Sequence, residues 1–152
     1  MPVTSAGILL HRPGADGPEV LLVHPGGPYW AKKDEGAWSI PKGECEPGED
    51  PRLRALVEFA EETGTALDPS TDLRELGTVK LKSGKLVVGF AAAGDLDADA
   101  ITSNTFELEW PPRSGRRQAF PEVDRAAWFG LEEARRRINP AQAALLERLA
   151  EG

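Results

Sequence analysis

Residues 43–65 read GECEPGEDPRLRALVEFAEETGT, and the fold turns on how this stretch is read. Its middle carries the punctuation of one helix. Asp50 stands at the capping position, Pro51 at the first helical position, where a missing N–H costs nothing, and Gly64 follows Thr63 as the stop. On that helix Glu58, Glu61 and Glu62 share a face, because positions i, i+3 and i+4 lie within about 100° of one another. Like charges at this spacing oppose helix formation unless something positive neutralises them. The face is therefore either a solvated acidic surface or the ligand set of a divalent cation. Leu53, Leu56, Val57 and Ala60 recur at helical spacing and are expected to form the core stripe, which turns the carboxylates away from the core.

Upstream, residues 3–12 and 19–24 are apolar, β-branched runs separated by a Pro-Gly-rich turn, which predicts a hairpin. Residues 25–36, rich in Gly and Pro, read as a surface loop leading to a brief strand at 37–40 and a turn-rich loop at 41–50. Downstream, residues 76–82 and 86–92 predict a second hairpin around Ser83-Gly84. Residues 101–110 alternate and run into the basic loop RSGRRQ, and 126–129 is another short strand. The tail from 131 to 150 has helical periodicity with a break at Asn139-Pro140 and places Leu145, Leu146 and Leu149 on one side. Helices and strands interleave without repeats, so the expected class is α/β or α+β in a single layered domain over residues 1–152.

The composition, 40% hydrophobic and 28% charged, is that of a globular chain large enough to bury a core without staples. A net charge of -7 argues against nucleic acid or an anionic membrane as partner of the whole surface. Cys45 is the single cysteine and there are two histidines, so neither a disulfide framework nor a zinc site is expected. No run approaches the roughly 18 apolar residues of a membrane span and no basic leader precedes the first apolar run, which reads as a cytoplasmic protein. The reading leaves room for a homodimer.

The opening stretch also resembles the Nudix box, which runs G, five residues, E, seven residues, then R-E-U-x-E-E-x-G-U with U apolar. Gly43, Glu49, Glu58, Phe59, Glu61, Glu62 and Gly64 stand in register. The flank WSIPKGE and the earlier strand EVLLVH are similar to those of Nudix enzymes acting on dinucleoside or inositol polyphosphates, so the resemblance covers the first half of the chain. It implies a Nudix-like α/β/α sandwich with a mixed central sheet, and hydrolysis of a pyrophosphate bond in a nucleoside-diphosphate derivative with Mg²⁺ or Mn²⁺ as cofactor. Oxygen ligands suit such hard cations. Glu58, Glu61 and Glu62 would then hold the metal together with the backbone carbonyl of Lys42, and Glu58 would orient or deprotonate the attacking water. Glu122, six residues before Trp128 in FPEVDRAAWFGLEEA, is the expected fourth acidic ligand, with Asp124 behind it. Glu61 and Glu122 join Glu58 in the expected catalytic set, whereas Gly43, Glu49, Arg54 and Gly64 are expected to be structural.

Two box positions depart from the pattern. Val57 stands where the family has arginine, and Thr65 where it has an apolar residue. The family's arginine supports the loop and helix that carry the metal-binding carboxylates. Arg54, four residues before Glu58, is the expected substitute. Val57 also motivates a second reading, a nucleotide-binding sensor with weak or absent turnover, and a third assigns the same residues to messenger RNA ends.

A small phosphorylated substrate needs cations and stacking surfaces. Lys42, Lys33, Arg113 and Arg116 are expected to meet its phosphates, with Lys32, Lys80, Lys82 and Arg117 as further cations. Tyr29 and Trp30, with Trp110, are expected to meet a nucleobase, whereas Trp38 and Trp128 belong to the core. His11 and His24 read as structural residues at strand ends, and Cys45 has no local base to make it a nucleophile.

Overall fold

The computed structural model describes residues 3–151. Its elements in chain order are β1 (Thr4–Gly14), β2 (Gly17–Pro25), β3 (Lys42–Glu44), α1 (Pro51–Thr63), β4 (Arg74–Lys80) and β5 (Leu86–Ala93). Then follow β6 (Thr105–Glu109), β7 (Arg117–Pro121), β8 (Val123–Gly130), α2 (Leu131–Arg137) and α3 (Ala143–Glu151). The main sheet runs β4-β5-β1-β2-β8, with β3 paired to β1, and β6 and β7 form a separate two-stranded sheet. The main sheet is mixed: β1 and β5 are parallel, whereas β1–β2, β2–β8, β4–β5 and β1–β3 are antiparallel.

The central strands are apolar on both sides, and alternate residues feed two clusters. Ile8, Leu10, Leu21, Val23 and Phe90 pack under Ala55 and Phe59 of α1. Leu9, Val20, Leu22, Val87 and Ala91 pack against Ala134 and against Leu145, Leu146 and Leu149 of α3. The period-2 alternation of β1 and β2 thus sends one set of side chains to α1 and the other to α2 and α3, which is the expected α/β/α sandwich with a mixed central sheet. No helix among the described residues is long and apolar enough to cross a membrane.

Several expectations are corrected. The helix at residues 51–63 forms as predicted, with the Asp50 side chain accepting from Arg52 N–H and Gly64 left-handed at φ 78°. Its buried face is different. Ala55, Phe59, Glu62 and Thr63 are buried, while Leu53 is 59% and Val57 43% exposed. The core face sits roughly a third of a turn from the aliphatic stripe, because small Ala55 lets the helix approach the sheet and Phe59 fills the gap beside it. Val57 therefore faces solvent and does not join the core.

Ala37, Trp38 and Ile40 are buried, but residues 37–40 form only isolated bridges, Val23 with Ser39 and Trp38 with Ile138, while the short strand lies at 42–44. The basic stretch expected as a loop supplies β7, whose Arg117–Pro121 pairs with Thr105–Glu109. The break at Asn139-Pro140 is present: α2 ends at Arg137, and the Asn139 side chain caps the 3₁₀ turn Pro140–Gln142 before α3.

Candidate active site

The site grows from the meeting of β3 with the end of α1. Pairing of β3 to β1 sets Ala6 opposite Gly43 and Gly7 opposite Lys42. Gly43 is required by close approach: a β-carbon there would stand 2.0 Å from Glu58 Cδ, so the Glu58 side chain lies across bare backbone. Gly64 does similar work at the other end, where a β-carbon would meet Thr102 Oγ1 at 2.2 Å. Thr102 N–H donates to the Thr63 carbonyl at 3.0 Å, and this places the chain leading to β6 against the helix end.

Arg54 holds the loop and the helix together. Its Nε and Nη2 donate to the two oxygens of Glu49 at 2.9 Å each, and its Nη1 donates to Glu58 Oε2 at 3.0 Å. This is a bidentate fork with a third bond to a second carboxylate, a geometry that a lysine cannot reproduce. Glu49 also accepts from Glu46 N–H at 2.9 Å. The Arg54 hydrogen bonds, ahead of that backbone bond, hold the Glu49 carboxyl below the usual carboxylate range. The cation that the box places at residue 57 is thus found at residue 54.

The remaining acidic groups are short of positive charge. Burial pushes Glu62 up to about 8, against the pull of Lys42 and with the help of Glu58 and Glu122. Burial likewise lowers Lys42, against the pull of Glu62. Burial raises Glu58, Arg54 opposes the shift and Glu61 reinforces it. Carboxylates that disfavour their own charge in this way are stabilised by added positive charge.

Glu122, 79 residues along the chain from Gly43, arrives beside them through main-chain hydrogen bonds. Asn104 N–H donates to the Glu61 carbonyl at 3.0 Å, Glu122 N–H to the Asn104 carbonyl at 2.9 Å, and Gly26 N–H to the Glu122 carbonyl at 2.9 Å. Among the described residues, no three His, Cys, Asp or Glu side chains are drawn together into a preformed metal cage. The donors are nevertheless all hard oxygens. A buried Glu62 and the Glu58 carboxylate laid over Gly43 fit a divalent cation better than they fit one another.

The other expected residues fall into two groups. Tyr29, Trp30 and Lys33 lie on the loop after β2, with the Lys33 ammonium 5.0 Å above the Trp30 ring. Tyr29 meets Trp110 edge to face at 5.2 Å. Arg113 and Arg116 sit in the turn between β6 and β7. Lys80 and Lys82 lie at the end of β4, on the far edge of the sheet. Asp124 does not join the acidic group. Its Oδ1 lies 2.8 Å from Nδ1 of His24, which is fully buried and whose Nε2 lies 2.6 Å from the Lys33 carbonyl oxygen. His24 is structural, as expected, but its task of pinning the aromatic loop had no local signal. Nor did Asn104, the link between Glu61 and Glu122. Trp38 is core, while Trp128 is partly buried under the Arg12 guanidinium, 4.0 Å from its ring centre.

The profile of the NUDIX domain matches residues 1–149 of the chain. The chain belongs to the Nudix family. This Nudix protein accordingly falls among the pyrophosphohydrolases that act on acid anhydrides. A search of curated protein sequences finds no match. Among solved structures it is similar to a Caenorhabditis elegans Ap4A hydrolase in a binary complex, with a TM-score of 0.67 at 22% identity over 97% of this chain and 96% of that one. It is also similar to the NUDIX domain of Shewanella oneidensis NrtR complexed with ADP ribose, at 0.66 and 18% over 99% and 88%. A MutT from work on Aliivibrio salmonicida and Vibrio cholerae gives 0.56 and 13% over 99% and 97%. At these identities the likeness is one of fold.

Proposed function

We propose that this Nudix protein hydrolyses a pyrophosphate bond in a small nucleoside-diphosphate derivative, a nucleoside triphosphate or dinucleoside polyphosphate among them, with Mg²⁺ or Mn²⁺ bound at the α1 carboxylates. The observation that carries the reading is the Glu58 side chain laid over Gly43 and held there by Arg54. Glu58, Glu61, Glu62 and Glu122, with the Lys42 carbonyl, are the groups that would hold the cation. The cation would shield phosphate oxygens and acidify water. The chain's own residues do the rest. Arg54 keeps one Glu58 oxygen engaged and so fixes the direction of the carboxylate, whose other oxygen is the acceptor for a proton of the attacking water. The Lys42 ammonium offsets the charge of Glu62. We place the activity on small molecules, since a net charge of -7 disfavours a nucleic-acid partner.

The sensor reading rests on Val57. Arg54 weakens it, because the supporting cation is displaced along the helix without being lost. A phosphate-release screen tests the proposal, run over nucleoside triphosphates, dinucleoside polyphosphates, nucleotide sugars and inositol pyrophosphates with Mg²⁺ and with Mn²⁺. Metal-dependent turnover that falls sharply in Glu61→Gln supports it. Ligand-induced thermal stabilisation with no turnover on any compound favours the sensor.

A further inference from the structure

The pairing of β8 with β2 is interrupted just after Glu122. His24 stands opposite Arg125 and Pro25 opposite Val123, so Asp124 is an extra residue with no partner on β2. This is a β-bulge with a local cause: Pro25 has no N–H to give to the ladder, and prolines inside sheets sit at edges or bulges. The bulge breaks the alternation of burial. Val123 and Ala126, three residues apart, both pack in the cluster under α1, which strict alternation would forbid. Val123 is thereby anchored beneath the helix. Glu122 next to it leaves the sheet beside α1, near enough to Glu62 for the two carboxylates to repel.

Side chains and main chain hold this irregular stretch in place. Ser103 Oγ accepts from Val123 N–H at 3.1 Å and lies 3.1 Å from the Val123 carbonyl oxygen, while Gly26 N–H donates to the Glu122 carbonyl at 2.9 Å. The extra residue is gripped by a histidine. Nδ1 of His24 lies 2.8 Å from Asp124 Oδ1 and Nε2 lies 2.6 Å from the Lys33 carbonyl oxygen. Both partners are hydrogen-bond acceptors, so the ring is tied at both nitrogens. His24 is fully buried, and Trp38 packs against it edge to face at 5.3 Å, which leaves the imidazole no room to swing. Arg125 Nε stands 4.0 Å from the same Asp124 oxygen.

Without the bulge, Asp124 would stand opposite Pro25, and Val123 would turn to the other face of the sheet and carry Glu122 with it. The grip of His24 on Asp124 therefore bears on where Glu122 points, although neither residue belongs to the acidic group of α1. Groups that orient a metal ligand from behind in this way change metal affinity without touching the metal. Building on the proposed cation site, we infer that His24 and Asp124 are positioning residues that lock the β8 bulge and so aim Glu122 at the carboxylates of α1.

A double-mutant cycle on Mn²⁺ affinity tests this, with the full chain titrated by electron paramagnetic resonance and thermal melting run on every variant. Asp124→Ala and His24→Gln are each made alone and on the Glu122→Gln background, and Asp124→Asn is made alone. Asp124→Ala should weaken Mn²⁺ binding by about tenfold in the parent protein and have no further effect once Glu122 is Gln. Asp124→Asn, which keeps an oxygen to accept from Nδ1, should recover most of the loss. His24→Gln should follow Asp124→Ala. Asp124 is partly exposed, so its pair of results decides the matter even where His24→Gln fails to fold. Equal losses with and without Glu122, no loss in Asp124→Ala, or an Asp124→Asn as weak as Asp124→Ala would overturn the positioning role. Glu61→Gln keeps the two readings apart: if it weakens Mn²⁺ while Glu122→Gln does not, the cation site stands and this inference falls, and a wild type that binds no Mn²⁺ removes both.

Discussion

At the scale of single residues the displaced cation matters most. Arg54 spans Glu49 and Glu58 with three hydrogen bonds of 2.9 to 3.0 Å, while Val57 points into solvent. Arg54→Ala should lower both metal affinity and turnover by about tenfold to a hundredfold, as removal of groups that orient metal ligands commonly does. Arg54→Lys should recover little, because one ammonium cannot fork across two carboxylates. Introducing Val57→Arg into Arg54→Ala should restore part of both, since residue 57 is open enough to accept the side chain. Calorimetric metal titration alongside kcat measurement checks all three, and an Arg54→Ala protein with unchanged metal affinity would discard the role. Deeper in the helix, Phe59 is fully buried under the sheet, so Phe59→Ala should cost about 3–5 kcal/mol in denaturant unfolding without altering the order of metal preferences.

At the scale of elements, capping signals were readable and packing faces were not. Asp50, Pro51 and Gly64 define α1 because caps are local hydrogen-bond problems solved by neighbours in sequence. The buried face is not legible locally, because four aliphatics at helical spacing outnumber Ala55 and Phe59 and only the sheet decides which side closes. β7 carries no strand signal because RQAFP sits on an exposed hairpin and lacks the alternation of a half-buried strand. One tie between elements predicts a pH effect. Hydrogen bonds from Trp38 and then Arg137 hold Asp34 below its ordinary value of 3.8. A depressed carboxylate contributes stability that is present above its unfolded value and is lost as pH falls through the folded one. The melting temperature of wild type should therefore drop on acidification below about pH 4 more steeply than that of Asp34→Asn. Parallel slopes would show that the tie between the Tyr29 loop and α2 contributes nothing.

Taken as a whole molecule, the chain builds its candidate site from three distant segments joined by a mixed sheet. The box supplies Glu58, Glu61 and Glu62, the β7–β8 junction supplies Glu122, Asn104 links the two, and the β2 loop is joined to Glu122 through Gly26 N–H. The first contribution was legible because motif spacing records a helix face. Glu122 was legible only through resemblance. The links through Asn104, and from His24 to Asp124 a hundred residues away, could not be read, since non-local hydrogen bonds leave no periodic trace in sequence. Because Glu62 and Glu58 are disfavoured as bare charges by burial, divalent cations should stabilise the native state, and adding Mg²⁺ should raise the melting temperature while a chelator reverses the gain.

Cation binding at the α1 carboxylates is measured by Mn²⁺ titration followed by electron paramagnetic resonance. Wild type should bind Mn²⁺ saturably, and Glu61→Gln and Glu62→Gln should each weaken that binding by an order of magnitude or more while melting cooperatively. Equal Mn²⁺ affinity in wild type and both variants, or no binding at all, would show that these carboxylates do not hold a cation.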